Sequence, residues 1–249
     1  MNDKWYDYFW TSPPDAPPGL AFGQFTPAHF TALGLVALGV AAIIWAYQRA
    51  SARGRRRWRG GLGIAVGVME GFRQVSFIAL GIYTPAILPL HACAVATFCV
   101  IADALRVNSW AREYLYAVGT WGPLAALLVT DWFAQPIFNI FTWQAFAIHG
   151  CLLAYPLMLL VSREFRPSWR QLWKAAIILV VAVAVSLLAN HRWGTNFWFL
   201  ATGAAGSPLQ PILDIAGPAY IPVLVLLLGV LWTAMYLPWV RRQTAASRA

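Results

Sequence analysis

Charge is scarce in this chain. Only 11% of its 249 residues are charged, against roughly 25% in soluble domains. Hydrophobic residues make up 60% and the mean hydropathy is +0.60, so an ordinary soluble domain is excluded. Lysine is rarer still, with Lys4 and Lys174 the only two. A retinal protein needs a lysine in the middle of its last helix, so that class is excluded as well. Arg73 is the one basic residue deep within an apolar run; without a ladder of arginines in one helix, voltage sensing is excluded too. The three cysteines, Cys93, Cys99 and Cys151, all fall inside apolar runs, and no disulfide framework is expected. No two of the four histidines stand three or four residues apart, the spacing of a helical metal motif. The first twenty residues lack the basic start and apolar core of a signal peptide and carry Asp15 amid Pro13, Pro14, Pro17 and Pro18. No nucleic-acid motif accompanies the net charge of +9, and basic charge alone is weak grounds for such a partner. No internal repeat is visible.

What the chain does have is long apolar runs. An α-helix crosses a bilayer with roughly 20 apolar residues. Seven runs fit, near 27–47, 60–82, 85–105, 112–131, 142–161, 171–189 and 218–238. The fold class expected is all-α, a polytopic bundle of seven transmembrane helices. Basic residues crowd every second gap: Arg49, Arg53, Arg55, Arg56, Arg57 and Arg59; then Arg106 and Arg112; then Arg163, Arg166, Arg170 and Lys174; then Arg241, Arg242 and Arg248 in the tail. Short cytoplasmic loops collect Lys and Arg. The N-terminus is therefore expected outside and the C-terminus inside. The organisation expected is an extracytoplasmic lead-in (1–26), a transmembrane domain (27–240) and a cytoplasmic basic tail (241–249). In the lead-in, Trp5, Tyr6, Tyr8, Phe9 and Trp10 suit the membrane interface. The segment 191–217, apolar and rich in Gly and Pro, is expected to fold back over the outer face.

Polar groups inside a membrane need a partner or a purpose. Glu70 and Arg73 stand three apart on one helical face, with Gln74 beside them. They read either as a self-neutralising ion pair or as a site for a charged headgroup. Asp103 is expected to pair with Arg106 at the inner end, and Asp131 and Glu164 to be solvated at the membrane edges. His29, His91, His149 and His191 all fall on the outer half. Cys93 and His149 lie each about seven residues into inward-running helices, roughly 10 Å below the outer surface. Three readings compete for this layer. Cys93 can be a nucleophile with His149 as its base. Two or more of the histidines, with Asp131 or Asp214, can hold zinc. Or all are interhelical hydrogen-bonding groups. A haem held by His91 and His149 is a remoter option, and no cofactor is expected. His91 and Cys93 are two apart, about 200° around a helix, and are not expected to act on the same face.

The segment Leu88-Pro89-Leu90-His91-Ala92-Cys93 resembles the YwaF-like bacterial integral membrane proteins, a family with seven predicted helices. Phe25-Thr26-Pro27-Ala28-His29 resembles the family's lead-in to helix one. Glu70, Gln144 with His149-Gly150, and Gly217-Pro218-Ala219-Tyr220 fall at its other signatures. Asn196-Phe197-Trp198-Phe199-Leu200 is similar to its Asn-Tyr-Met-Phe-Leu element, with Phe197 in the Tyr place. This family is distantly similar to eukaryotic seven-helix lipid enzymes, an ether-phospholipid acyltransferase and the androgen-induced hydrolases. The resemblance implies a plasma-membrane protein acting on membrane lipids by acyl transfer or ester hydrolysis. Cys93 falls at the nucleophile position and His149 at the base position. His91, Asn196, Gln144, Glu70 and Arg73 are the candidate substrate-binding residues. A non-enzymatic carrier or small-ligand receptor is the alternative.

Overall fold

The computed structural model describes residues 8–10, 18–204 and 206–246; side chains beyond residue 240 are outside the description. Trp5, Tyr6 and the basic side chains of the tail therefore lie outside the described residues.

Local sequence sets most helix ends. Helix α1 (Pro27–Arg49) starts where Thr26 accepts the N–H of His29 and Pro27 supplies a preset φ. Ser51 caps α2 (Ala52–Ala79) by accepting from Gly54. Gly81, Pro85 and Pro89 then hold the chain out of a helix until α3 (Ala92–Leu105). Asn108 caps α4 (Ser109–Ala117), accepting from Trp110 and Ala111. After a break at Val118, Gly119 and Thr120 comes α5 (Trp121–Leu128). Asn139 caps α6 (Ile140–Val161). Helix α7 (Leu172–Trp193) ends on Gly194 at φ +66°, the left-handed stop that glycine adopts without strain. A short α8 (Leu209–Ala216) leads through a tight turn into α9 (Tyr220–Ala246). The described residues form helices and turns, with one isolated bridge between Ala21 and Pro136.

Five stretches are long and apolar enough to cross a membrane: Pro27–Arg49, Ala52–Ala79, Ile140–Val161, Trp169–Trp193 and Leu209–Val240. Their outward residues, among them Leu38, Ile64, Val180, Leu188 and Leu226, are exposed apolar side chains, the surface a bilayer covers. Two of the seven apolar runs take another form. The third becomes an irregular approach followed by α3, which at 14 residues spans only about 21 Å. The fourth is divided into α4 and α5. Hydropathy alone cannot register these interruptions, because Pro85, Pro89, Gly119 and Pro123 sit among apolar neighbours.

The centre of the bundle is α6, which packs on α1, α2, α3 and α5. Bare glycines set two of the closest contacts. A β-carbon at Gly150 would stand 3.0 Å from Val36 of α1, and one at Gly63 only 2.7 Å from Ala104 of α3.

At the end where the arginine-rich loops gather, buried carboxylates are matched by tyrosines. Asp103 accepts from Arg112 at 2.7 Å and from Tyr155 at 3.0 Å. Its partner is Arg112, across the turn to α4; Arg106 is exposed. Glu164 is not merely solvated. It takes Arg59 at 2.6 Å, Arg55 at 3.2 Å and the Tyr47 hydroxyl at 2.8 Å, fastening the α1–α2 turn to the end of α6. Glu113, which no sequence spacing singled out, accepts from Tyr236 at 2.8 Å and ties α4 to α9. Arg53, Arg56 and Arg57 remain exposed on the same end.

Candidate functional site

The opposite end carries the histidines. They divide into three kinds. His29 is fully buried and both its nitrogens are bonded: Nδ1 accepts from the N–H of Phe25 at 3.0 Å and Nε2 donates to the carbonyl of Leu127 at 2.9 Å. It is a staple between α1 and α5. His191 is exposed in the last turn of α7. His91 and His149 differ from both, because among the described residues each keeps one ring nitrogen without a protein partner.

His149 is the tenth residue of α6 and so lies deeper than the sequence spacing indicated. Its Nδ1 sits 2.7 Å from the carbonyl oxygen of Ala145, one turn back. A carbonyl only accepts, so Nδ1 must carry the proton. The lone pair is then on Nε2, the form in which imidazole acts as a base. Trp132, from the segment after α5, stacks on the ring with centroids 5.1 Å apart and planes 22° from parallel. On this same segment two buried polar atoms, Trp132 Nε1 and Thr130 Oγ1, make no hydrogen bond among the described residues.

Cys93 is the second residue of α3, not seven residues into a helix, because proline keeps 88–91 irregular. The helix begins within the bundle, and no side chain caps it. Its first N–H groups, those of Ala92, Cys93 and Ala94, are therefore left for other acceptors, at an end that favours negative charge. The sulfur is 4.0 Å from where a β-carbon on Gly122 would stand. The small residue on α5 thus leaves room beside it. Thr97, a turn further on, donates to the Cys93 carbonyl at 3.1 Å and is itself buried.

Cys93 and His149 are both half-buried. The Asp131 carboxylate lies within electrostatic reach of Cys93, His91 and His149, and Arg73 within reach of both histidines. These groups therefore share one region of the bundle.

His91 is at the N-cap of α3 in extended conformation, φ −69° and ψ 160°. The helical angle that set it on another face from Cys93 does not apply, since only one of the two is helical. Its Nδ1 accepts from the Trp198 N–H at 3.3 Å, and its ring lies between Phe197 and Phe199. Trp198 and Phe199 have φ of 63° and 53°, a left-handed backbone costing about 1–3 kcal/mol at each non-glycine residue. Side chains hold it there. Trp198 Nε1 donates to the Leu90 carbonyl at 2.7 Å and to Ser186 at 3.0 Å, Asn190 brackets Phe197, and Tyr220 donates to the Phe199 carbonyl at 3.0 Å. Ser186, one hydroxyl in a wholly apolar run, was the sequence signal for this anchor; Trp132 gave none.

The remaining candidates make wall contacts. Arg73 donates to Glu70 at 2.8 Å, and Arg73 and Gln74 both reach the Ile87 carbonyl, so the pair is neutralised within α2 and braces the approach to α3. Gln144 donates to the Met69 carbonyl at 3.2 Å and joins α6 to α2. Asn196 organises its own turn through Ala201 and Thr202. Among the described residues, no three of His, Cys, Asp and Glu converge as a metal site. Tyr8 and Phe9 of the lead-in dock on the start of α6, where their carbonyls accept from Asn139 and Ile140.

The profile of one membrane protein family, the TMEM164 family, matches residues 24–236. The chain belongs to the TMEM164 family. The match runs from before α1 into α9 and includes both Cys93 and His149. This membership, with the five apolar crossings, makes the chain a multi-pass integral membrane protein. No curated protein and no solved structure matches it.

Proposed function

We propose that this protein transfers or hydrolyses the acyl group of a membrane lipid ester, with Cys93 as nucleophile and His149 as general base. The observation that supports this reading is the fixed tautomer of His149, whose bond to the Ala145 carbonyl leaves the lone pair on Nε2. In the first half-reaction the thiol proton passes to Nε2 and the sulfur bonds to the ester carbonyl carbon. The carbonyl electrons move to oxygen, where the unpaired N–H groups at the start of α3 offer hydrogen bonds. Collapse breaks the carbon–oxygen bond to the lipid alcohol, which takes the proton back from His149 and leaves a thioester. A second hydroxyl, or water, then attacks the thioester by the reverse proton path.

The same proposal covers the finer architecture and setting. The 85–105 segment and the α4–α5 pair complete seven crossings, with the N-terminus outside and the arginine-rich end in the cytoplasm. The finer kinship is to the YwaF-like group and the location a bacterial plasma membrane. Gln144, Glu70, Arg73 and Asn196 frame the site, and lipid reaches it sideways from the bilayer.

Two measurements test the reading. Lipid profiles of cells making the intact protein should differ from those of cells making Cys93→Ala. A thiol-reactive lipid probe should label Cys93 over Cys99 and Cys151, and His149→Ala should abolish that labelling. Unchanged lipids together with equal labelling of all three thiols would leave a carrier or receptor as the better account.

A further inference from the structure

His149 and His91 are bonded in opposite senses. At His149, Nδ1 faces an acceptor and must be protonated. At His91, Nδ1 faces a donor, the Trp198 N–H at 3.3 Å, and must be bare. The neutral ring of His91 therefore carries its proton on Nε2. That Nε2 has no partner among the described residues, and the side chain is half-buried. Two imidazoles under the influence of the same Asp131 and Arg73 thus present complementary atoms, a lone pair from one and an N–H from the other.

We infer that His91 is a further catalytic residue of the site, giving its Nε2–H to the carbonyl oxygen of the scissile ester, and that Trp198 is the positioning residue that fixes it in this donor form. The inference rests on the acyl-transfer reading. As the Cys93 sulfur bonds to carbon, the oxygen gains the electron pair. His91 then strengthens a hydrogen bond to it and keeps its proton, while the thiol proton goes to His149. This division of roles gives a reason for the left-handed backbone at Trp198 and Phe199. The turn carries the Trp198 N–H to the ring edge, and the indole, bonded to Leu90 and Ser186, holds it there.

The test uses the full chain in lipid nanodiscs with 15N-labelled histidine. His91→Phe and His149→Phe assign the signals. The expected spectrum has His91 protonated on Nε2 and His149 protonated on Nδ1. Addition of a long-chain alkyl trifluoromethyl ketone, which forms an oxyanion adduct with a thiol, should move the His91 Nε2–H signal downfield. Trp198→Phe removes both indole bonds and should give a tautomer mixture at His91, lowering kcat and leaving KM nearly unchanged. His91→Phe should cost about 10²- to 10³-fold in turnover, as loss of an oxyanion donor does, and His91→Gln, which keeps an N–H donor, should recover part of it. A His91 protonated on Nδ1, or a His91→Phe enzyme of full activity, overturns the inference. Full activity in Cys93→Ala instead overturns the acyl-enzyme reading, and the tautomer result then stands apart from it.

Discussion

Trp132 lies against the face of His149, 5.1 Å between ring centroids, while the Ala145 carbonyl holds the edge of the same ring at 2.7 Å. Face and edge together leave the imidazole one orientation and one free nitrogen. The stack comes from the segment after α5, the hydrogen bond from α6 itself. The ring is therefore set only when these two elements dock.

Removal of the stack should loosen the base without displacing it. Aromatic pairs contribute about 0.5–1.5 kcal/mol beyond burial, so Trp132→Ala should lower turnover about three- to tenfold, and Trp132→Phe should retain most of it. Initial rates on a lipid ester, with the melting temperature as control, check this.

Gly122 controls the room beside the Cys93 sulfur. A β-carbon there would make ordinary contacts, 3.8 Å to Ala92 and 4.0 Å to the sulfur, so Gly122→Ala should fold and remain labelled by a small thiol reagent. Gly122→Leu fills the space. It should block labelling by a lipid-like reagent while Cys99 and Cys151 react as before.

The Asp103–Arg112 pair is buried on both sides. Removal of one partner leaves an uncompensated charge, at a cost of about 3–5 kcal/mol. Asp103→Ala should therefore lower the melting temperature in detergent sharply. Asp103→Leu combined with Arg112→Met should recover much of the loss, since neither charge remains. Were the double variant as unstable as the single one, the charge account of this end of the bundle would fail.

Close packing of α2 on α3 gives a graded series. Gly63→Val should destabilise by about 1–3 kcal/mol through overpacking, because its β-carbon would meet Ala104 at 2.7 Å. Gly67 faces the flexible end of Ile101 at 3.4 Å, and Gly71 has nothing within 4 Å. Gly67→Ala and Gly71→Ala should be close to neutral in the same thermal assay.

Part of the polar network was legible from spacing and part was not. Glu70 and Arg73, three apart on a helix, pair as their register requires. Glu164 and Glu113 have no local partner to reveal them. Each is satisfied only across the bundle, by Arg55 and Arg59 or by Tyr236. The helical angle between His91 and Cys93 does not apply, because His91 precedes the first turn of α3 in extended backbone.

The sequence by itself determined the membrane, the all-helical class and the helix caps, because these depend on hydropathy and on contacts within a few residues. It also set the basic loops that gather at one end. The tertiary structure decided which charges neutralise each other, where the fourth run breaks, and which nitrogen of His91 and of His149 is free. Those outcomes depend on hydrogen bonds and stacking between segments tens of residues apart, whose partners no local spacing can name.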